Sequence, residues 1–130
     1  MAEIHVSAVV MRDAAGRVLH VRKRGTQMLM LPGGKPESGE TAAATALREF
    51  AEELGAELDP AQLRFMGEFR AAAANEPGQL VVAQVFIHPH VSGVTACAEI
   101  EELAWLDPLS NRDDIAPLNT EHIFPALLQA

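Results

Sequence analysis

The chain contains no tyrosine and only one cysteine, and its aromatic share is 5% of 130 residues. A lone cysteine, Cys97, excludes an internal disulfide, a thiolate zinc site and a redox-active cysteine pair. It reads as a small buried or half-buried residue. No apolar stretch reaches the roughly 18–20 residues that a membrane-spanning helix requires. Net positive charge is missing too. Ten Lys and Arg against eighteen Asp and Glu leave a formal charge of −8, which argues against binding a nucleic-acid polymer through its phosphates. The opening "MAEIHVSAVV" lacks the basic flank of a signal peptide, so a cytoplasmic location is expected.

What remains is the composition of a soluble globular protein, 48% hydrophobic and 22% charged, at a length that suits one domain over residues 1–130. "HVSAVVM" (5–11) and "RVLHVRK" (17–23) alternate as strands, and the intervening "RDAAG" reads as a hairpin turn. "LPGGKPESGE" is loop chemistry throughout. From Thr41 to Leu54 strong helix formers follow, and Gly55 stands where a helix C-terminus favours a left-handed residue. Ala43, Ala46, Leu47, Phe50 and Leu54 recur at three- and four-residue steps and form an apolar stripe. Further on, 63–74 and 79–90 pair around "NEPG", and 99–107 is a shorter strand. A closing helix is expected to be capped by Asn119 or Thr120. Strands interrupted by two separate helices predict an α+β or α/β/α domain with a mixed sheet.

Within the first helix Glu49, Glu52 and Glu53 share one face, with Cβ atoms about 5–6 Å apart. Like charges at that spacing cost the helix roughly 0.2–0.5 kcal/mol per pair. A solvated acidic face is the plain reading. Here, however, the acids sit on the arc next to the glycine-rich loop, with Arg48 before them and Glu40 near the helix start. Hard divalent cations take oxygen ligands, so a cation with a bound phosphate would offset the repulsion.

Gly34, Glu40, Arg48-Glu49-Phe50, Glu52-Glu53 and Gly55 together resemble the signature of the Nudix hydrolases, G-x5-E-x7-R-E-U-x-E-E-x-G-U, in which U is a bulky apolar residue. Every fixed position of the 23-residue box matches; only the last U departs, as Ala56. The resemblance implies a Nudix-type α/β/α sandwich with a mixed sheet, and metal-dependent hydrolysis of a nucleoside diphosphate linked to another group. It implies Glu49, Glu52, Glu53 and the Gly33 carbonyl as ligands of Mg²⁺ or Mn²⁺. Glu49, Arg48 and Glu53 become the catalytic set, supported by Glu40 and Gly34. Family members differ in their general base. Glu49 is one choice, and Glu99, Glu101 or Glu102 offers another on a later loop. Lys35 and the run Arg22-Lys23-Arg24 would contact phosphates, although a solvated strand end explains the run equally well.

The missing tyrosine disfavours the diadenosine polyphosphate branch of that family, and "RAAAA" stands where the ADP-ribose branch carries proline. That branch also tends to carry an N-terminal extension, for which the sequence leaves no room. The resemblance is therefore closest to short MutT-type enzymes that convert a nucleoside triphosphate to the monophosphate and pyrophosphate, an oxidised purine nucleotide among the candidates. Asn119 stands where such enzymes place an amide against the purine edge; the competing reading is a plain helix cap. Alternatives are nucleotide sugars, other nucleoside diphosphate derivatives, or a non-catalytic nucleotide-binding module. The expected partner is a small nucleotide, not a polymer or membrane, and the expected state a monomer or homodimer. Phe69, Phe86 and Trp105 are candidate stacking or core residues, and His88 and His90 read as solvent-facing.

Overall fold

The computed structural model describes residues 2–129. Strand β1 (Glu3–Val10) is its spine. It pairs in parallel with β5 (Leu80–Ile87) from Glu3↔Leu80 to Val10↔Ile87. On its other edge Ser7 and Ala8 meet the two-residue β3 (Gly33–Gly34) antiparallel. β4 (Arg64–Ala72) completes the sheet antiparallel to β5, in the order β3-β1-β5-β4. A second sheet joins β2 (Val18–Lys23) to β6 (Ile100–Leu106). The expected mixed sheet is thus present, with parallel and antiparallel pairs side by side.

Residues from both faces of β1 are buried, and the two faces serve different cores. Ala8 and Val10 pack with Ala83, Val85, Leu118, Ile123 and Phe124, which covers one face with the C-terminal helical segment. Val9 and Met11 pack with Ala46, Phe50, Leu54 and Phe86, which covers the other with α1 (Ala42–Leu54). This is the α/β/α sandwich. Phe50 is fully buried between α1 and the sheet, and its removal to alanine is expected to cost about 3–5 kcal/mol.

Helix α1 begins and ends as its sequence dictates. Thr41 Oγ1 accepts from Ala44 N at 3.1 Å, and Gly55 takes the left-handed conformation at φ 65° while its N–H donates to the Ala51 carbonyl. Two expectations need correction, and a third holds at its base. The turn at 12–16 is the expected hairpin turn, with Asp13 N donating to Arg17 O at 2.9 Å, Leu19 N to Met11 O at 2.9 Å and Arg12 bridging antiparallel to Val18, but beyond that bridge β1 and β2 separate into different sheets. β1 already has β5 along one edge and β3 on the other, so β2 finds its partner in β6. His88 is buried, not solvent-facing: its Nε2 accepts from Asp59 N at 3.0 Å and its Nδ1–H donates to Pro89 O at 2.7 Å. With both ring nitrogens satisfied, burial carries little penalty. Finally, neither Asn119 nor Thr120 caps the last helix. Helical backbone starts two residues earlier, at Pro117, and Asn119–Ile123 form a π-helical turn leading into α2 (Phe124–Gln129).

Candidate active site

The glycine pair ahead of α1 fixes where the acids go. A Cβ on Gly33 would run into the Ser7 carbonyl, and one on Gly34 would lie 2.5 Å from the Glu49 carboxyl carbon. At Gly33 only bare backbone lets β3 sit against β1, and at Gly34 the missing side chain leaves room for the Glu49 carboxyl. Gly33 N then donates to Glu53 Oε1 at 3.0 Å, tying the loop to the helix.

Arg48 organises the rest. Its Nε and Nη2 grip Glu40 in a fork, at 2.7 Å to Oε2 and 2.8 Å to Oε1. Nη1 donates to Glu49 Oε1 at 2.9 Å, and Nη2 also reaches the Lys35 carbonyl at 3.1 Å. Glu52 lies beside the same guanidinium at 3.4 Å, its carboxylate largely exposed. The Arg48 hydrogen bonds, with the Glu37 N–H and the Thr45 hydroxyl, push the Glu40 carboxyl down to about 2. Part of the like-charge cost on α1 is therefore offset inside the chain.

Glu53 is different. It is 2% exposed, and burial pushes its carboxyl up to about 8, against the Gly33 N–H that pulls it down. Its Oε2 has no hydrogen-bond partner among the described residues. A buried carboxylate oxygen without a donor is costly, and a cation is the partner that would satisfy it. Glu49 and Glu52 supply further hard oxygen donors on the same face, so the residues fit a divalent cation. Among the described residues no three acidic, His or Cys side chains already converge as a metal cluster, since Glu49 leans on Arg48 and Glu52 projects outward.

Glu49, Glu52 and the glycine pair open onto a cleft of about 520 Å³, which the buried Glu53 does not line. Along β1 the cleft runs from Ile4, paired with Val81, to Ser7, paired with Gly34, so apolar and charged ends are roughly 10 Å apart. Glu49, Glu52, Lys35, Lys23 and Glu99 line it, as does Asn119. Asn119 is fully buried, and neither its amide oxygen nor its nitrogen has a hydrogen-bond partner among the described residues. Among the described residues no aromatic ring lines the cleft; Phe86 lies in the core, and Phe69 and Trp105 pack against it.

Other expected site residues lie elsewhere. Arg22 is taken up by Glu102 at 3.0 Å, Glu101 at 3.3 Å and the Thr26 carbonyl. A bulge between Arg22 and Lys23 lets both acids reach that one guanidinium. Neither Arg22 nor Arg24 lines the cleft, and of the three later acids only Glu99 does. The sequence reading passed over Ser7, Asn75, Met30 and Glu76, which also line it. A hydroxyl in the otherwise apolar run "SAVVM" is a signal for Ser7, whereas Asn75 in "NEPG" looks like an ordinary turn residue.

The family model described as NUDIX domain matches residues 1–126. Among solved structures, the chain is similar to the MutT protein of Methanosarcina mazei Go1, with 21% identity, TM-score 0.78, and coverage of 98% of this chain and 94% of the other. It is also similar to a MutT NUDIX hydrolase from Burkholderia pseudomallei, with 19% identity, TM-score 0.75, and coverage of 99% and 98%. A structure described as a UDP-X diphosphatase matches at 18% identity and TM-score 0.73, covering 99% of this chain and 64% of that one. These likenesses establish the shared fold. No curated protein matches the chain.

Proposed function

This chain belongs to the Nudix family of pyrophosphohydrolases, and from that premise we propose that it hydrolyses a nucleoside triphosphate to the monophosphate and pyrophosphate. The observation that carries the reading is the unpartnered amide of Asn119, buried in the same cleft as the acidic turn. An amide that donates and accepts suits a purine edge, and an oxidised guanine nucleotide fits that chemistry. Aliphatic walls, not stacked rings, would hold the base.

Family members generally use divalent cations, and Glu49, Glu52, Glu53 and the Gly33 carbonyl are the groups that would hold Mg²⁺ or Mn²⁺ here. Such a cation neutralises phosphate charge and lowers the pKa of bound water. The chain's own residues do the rest. Lys35 and Lys23 draw the phosphates toward the acidic face. Arg48, itself held by Glu40, orients Glu49 through the 2.9 Å hydrogen bond. Glu49 is the proposed acceptor of the water's proton, and Glu99 is the alternative base on the cleft.

The test is a panel of nucleoside triphosphates, oxidised purine triphosphates and nucleotide sugars, with products separated as pyrophosphate or phosphate. Monophosphate plus pyrophosphate from a triphosphate supports the reading. Turnover confined to nucleotide sugars, or none on any substrate, contradicts it. If Asn119→Ala leaves the order of preference among bases unchanged, the amide does not read the base.

A further inference from the structure

Two charged residues of the cleft are paired with each other and not with the acidic helix. Lys23 Nζ lies 3.3 Å from Glu99 Oε1, and both residues line the cleft. The pair is exposed enough to be weak, with Lys23 at 31% and Glu99 at 62% side-chain exposure. The backbone beneath Glu99, in contrast, is built firmly. Cys97 N donates to the Glu53 carbonyl at 2.9 Å, Ile100 N to the Cys97 carbonyl at 3.0 Å, and Arg24 N to the Glu99 carbonyl at 2.7 Å. These bonds fasten the turn to the end of α1 on one side and to the end of β2 on the other. Between them Ala98 adopts φ 52°, and among the described residues it is the one non-glycine residue with positive φ. An alanine held in a left-handed conformation is strained, and such strain persists where the surrounding structure enforces it, often at functional sites. A register bulge just before Lys23 sets that side chain apart from Arg22, which is fully engaged elsewhere.

Firm backbone under a weak ion pair has a functional reading, which rests on the proposed triphosphate hydrolysis. We propose that Lys23 and Glu99 form a substrate-displaced ion pair: on nucleotide binding the Lys23 ammonium leaves Glu99 for a phosphate oxygen, while the strained turn keeps the carboxylate in the cleft. A polyphosphate offers the ammonium several negative oxygens in place of one half-solvated carboxylate, so the exchange runs toward substrate. Lys23 is then a phosphate-binding residue that Glu99 holds in reserve, and Glu99 competes with substrate for it.

Binding of an α,β-methylene nucleoside triphosphate, which resists cleavage, tests this in the full chain with Mg²⁺ present. Lys23→Met is expected to weaken binding about 10-fold, as loss of one charge-assisted hydrogen bond would, and Lys23→Arg to restore most of it. Glu99→Gln is expected to tighten binding by about two- to five-fold, the size of an exposed ion pair released. In the Lys23→Met background Glu99→Gln should then change nothing. Equal effects of Glu99→Gln in both backgrounds, weaker binding after Glu99→Gln, or unchanged binding after Lys23→Met would each overturn the exchange. A wild type that cleaves triphosphates yet shows those results rejects this inference alone; a wild type that neither binds nor cleaves them rejects the proposed function with it.

Discussion

Arg48 and Glu40 face each other across eight residues of sequence, joined by two parallel hydrogen bonds of 2.7 and 2.8 Å, and the same guanidinium turns its remaining nitrogen to Glu49. The fork fixes the plane of the guanidinium, and that plane fixes Glu49. Arg48→Lys retains a charge but loses the fork. The expected result is a fall in kcat of about 10- to 100-fold, the range found when residues supporting a metal ligand are removed, with a smaller change in KM. Steady-state kinetics on a triphosphate decide it. Equal kcat in wild type and Arg48→Lys would mean that charge alone matters at this position.

Glu53 yields a prediction that does not depend on turnover. Its buried Oε2 lacks a partner, so a bound cation adds an interaction that the metal-free fold lacks. At a hundredfold excess over Kd, a cation should stabilise the wild type by about 2.7 kcal/mol, and EDTA should remove the gain. In Glu53→Gln the thermal midpoint should respond much less to Mg²⁺ or Mn²⁺. Identical metal-induced shifts in the two proteins would place the cation elsewhere.

Asn119 is expected to trade stability for specificity. A buried amide with both polar atoms unpaired carries a desolvation penalty. Asn119→Leu, similar in size, should therefore leave the protein as stable as wild type or more so by about 1 kcal/mol, while altering its preference among bases. Denaturant midpoints and the substrate panel read the two effects separately. A clear loss of stability would show that the amide is satisfied in solution.

His20 sets a pH window. It is fully buried on β2, its Nδ1–H donates to the Val18 carbonyl at 2.9 Å, and burial pushes its pKa down to about 4. Unfolded, it titrates near 6.5, so on acidification the unfolded chain takes up the proton first. Its contribution is complete above pH 6.5 and is lost as pH falls toward 4, by roughly 3 kcal/mol in total. Glu53 has the opposite sign in metal-free protein. Its raised pKa favours the fold at low pH and loses that contribution as pH rises from 4.5 to about 8. Subtracting His20→Leu from wild type at each pH isolates the histidine, and the difference should shrink between pH 6.5 and 4. A difference that stays constant would mean that the ring is free to protonate in the fold.

Local chemistry made the acidic helix legible. Thr41 and Gly55 bound it as cap residues do, and Ala46, Phe50 and Leu54 fall on its buried stripe as the three- and four-residue spacing requires. The spacing of Glu49, Glu52 and Glu53 put them on one face before any fold was known. Partners from distant parts of the chain were not legible. Whether β2 continues the first sheet depends on whether β1 has a free edge, and that is settled by β3 and β5, more than 20 and 70 residues away in sequence. Arg22, Lys23 and Arg24 look alike as a basic run; a bulge commits the first to Glu101 and Glu102 and turns the second to the cleft. Asn at a helix start suggests a cap, and only the earlier start at Pro117 frees its side chain. His88 likewise needed a distant N–H, that of Asp59, to be at home in the interior.

The most direct measurement is pyrophosphate release from a nucleoside triphosphate by wild type and Glu53→Gln, each with Mg²⁺ and with EDTA. The expected result is turnover in wild type with Mg²⁺, none in either protein with EDTA, and a loss of about 100-fold or more in Glu53→Gln with Mg²⁺, as removal of a catalytic metal ligand entails. Turnover that survives EDTA, or that is undiminished in Glu53→Gln, would contradict it.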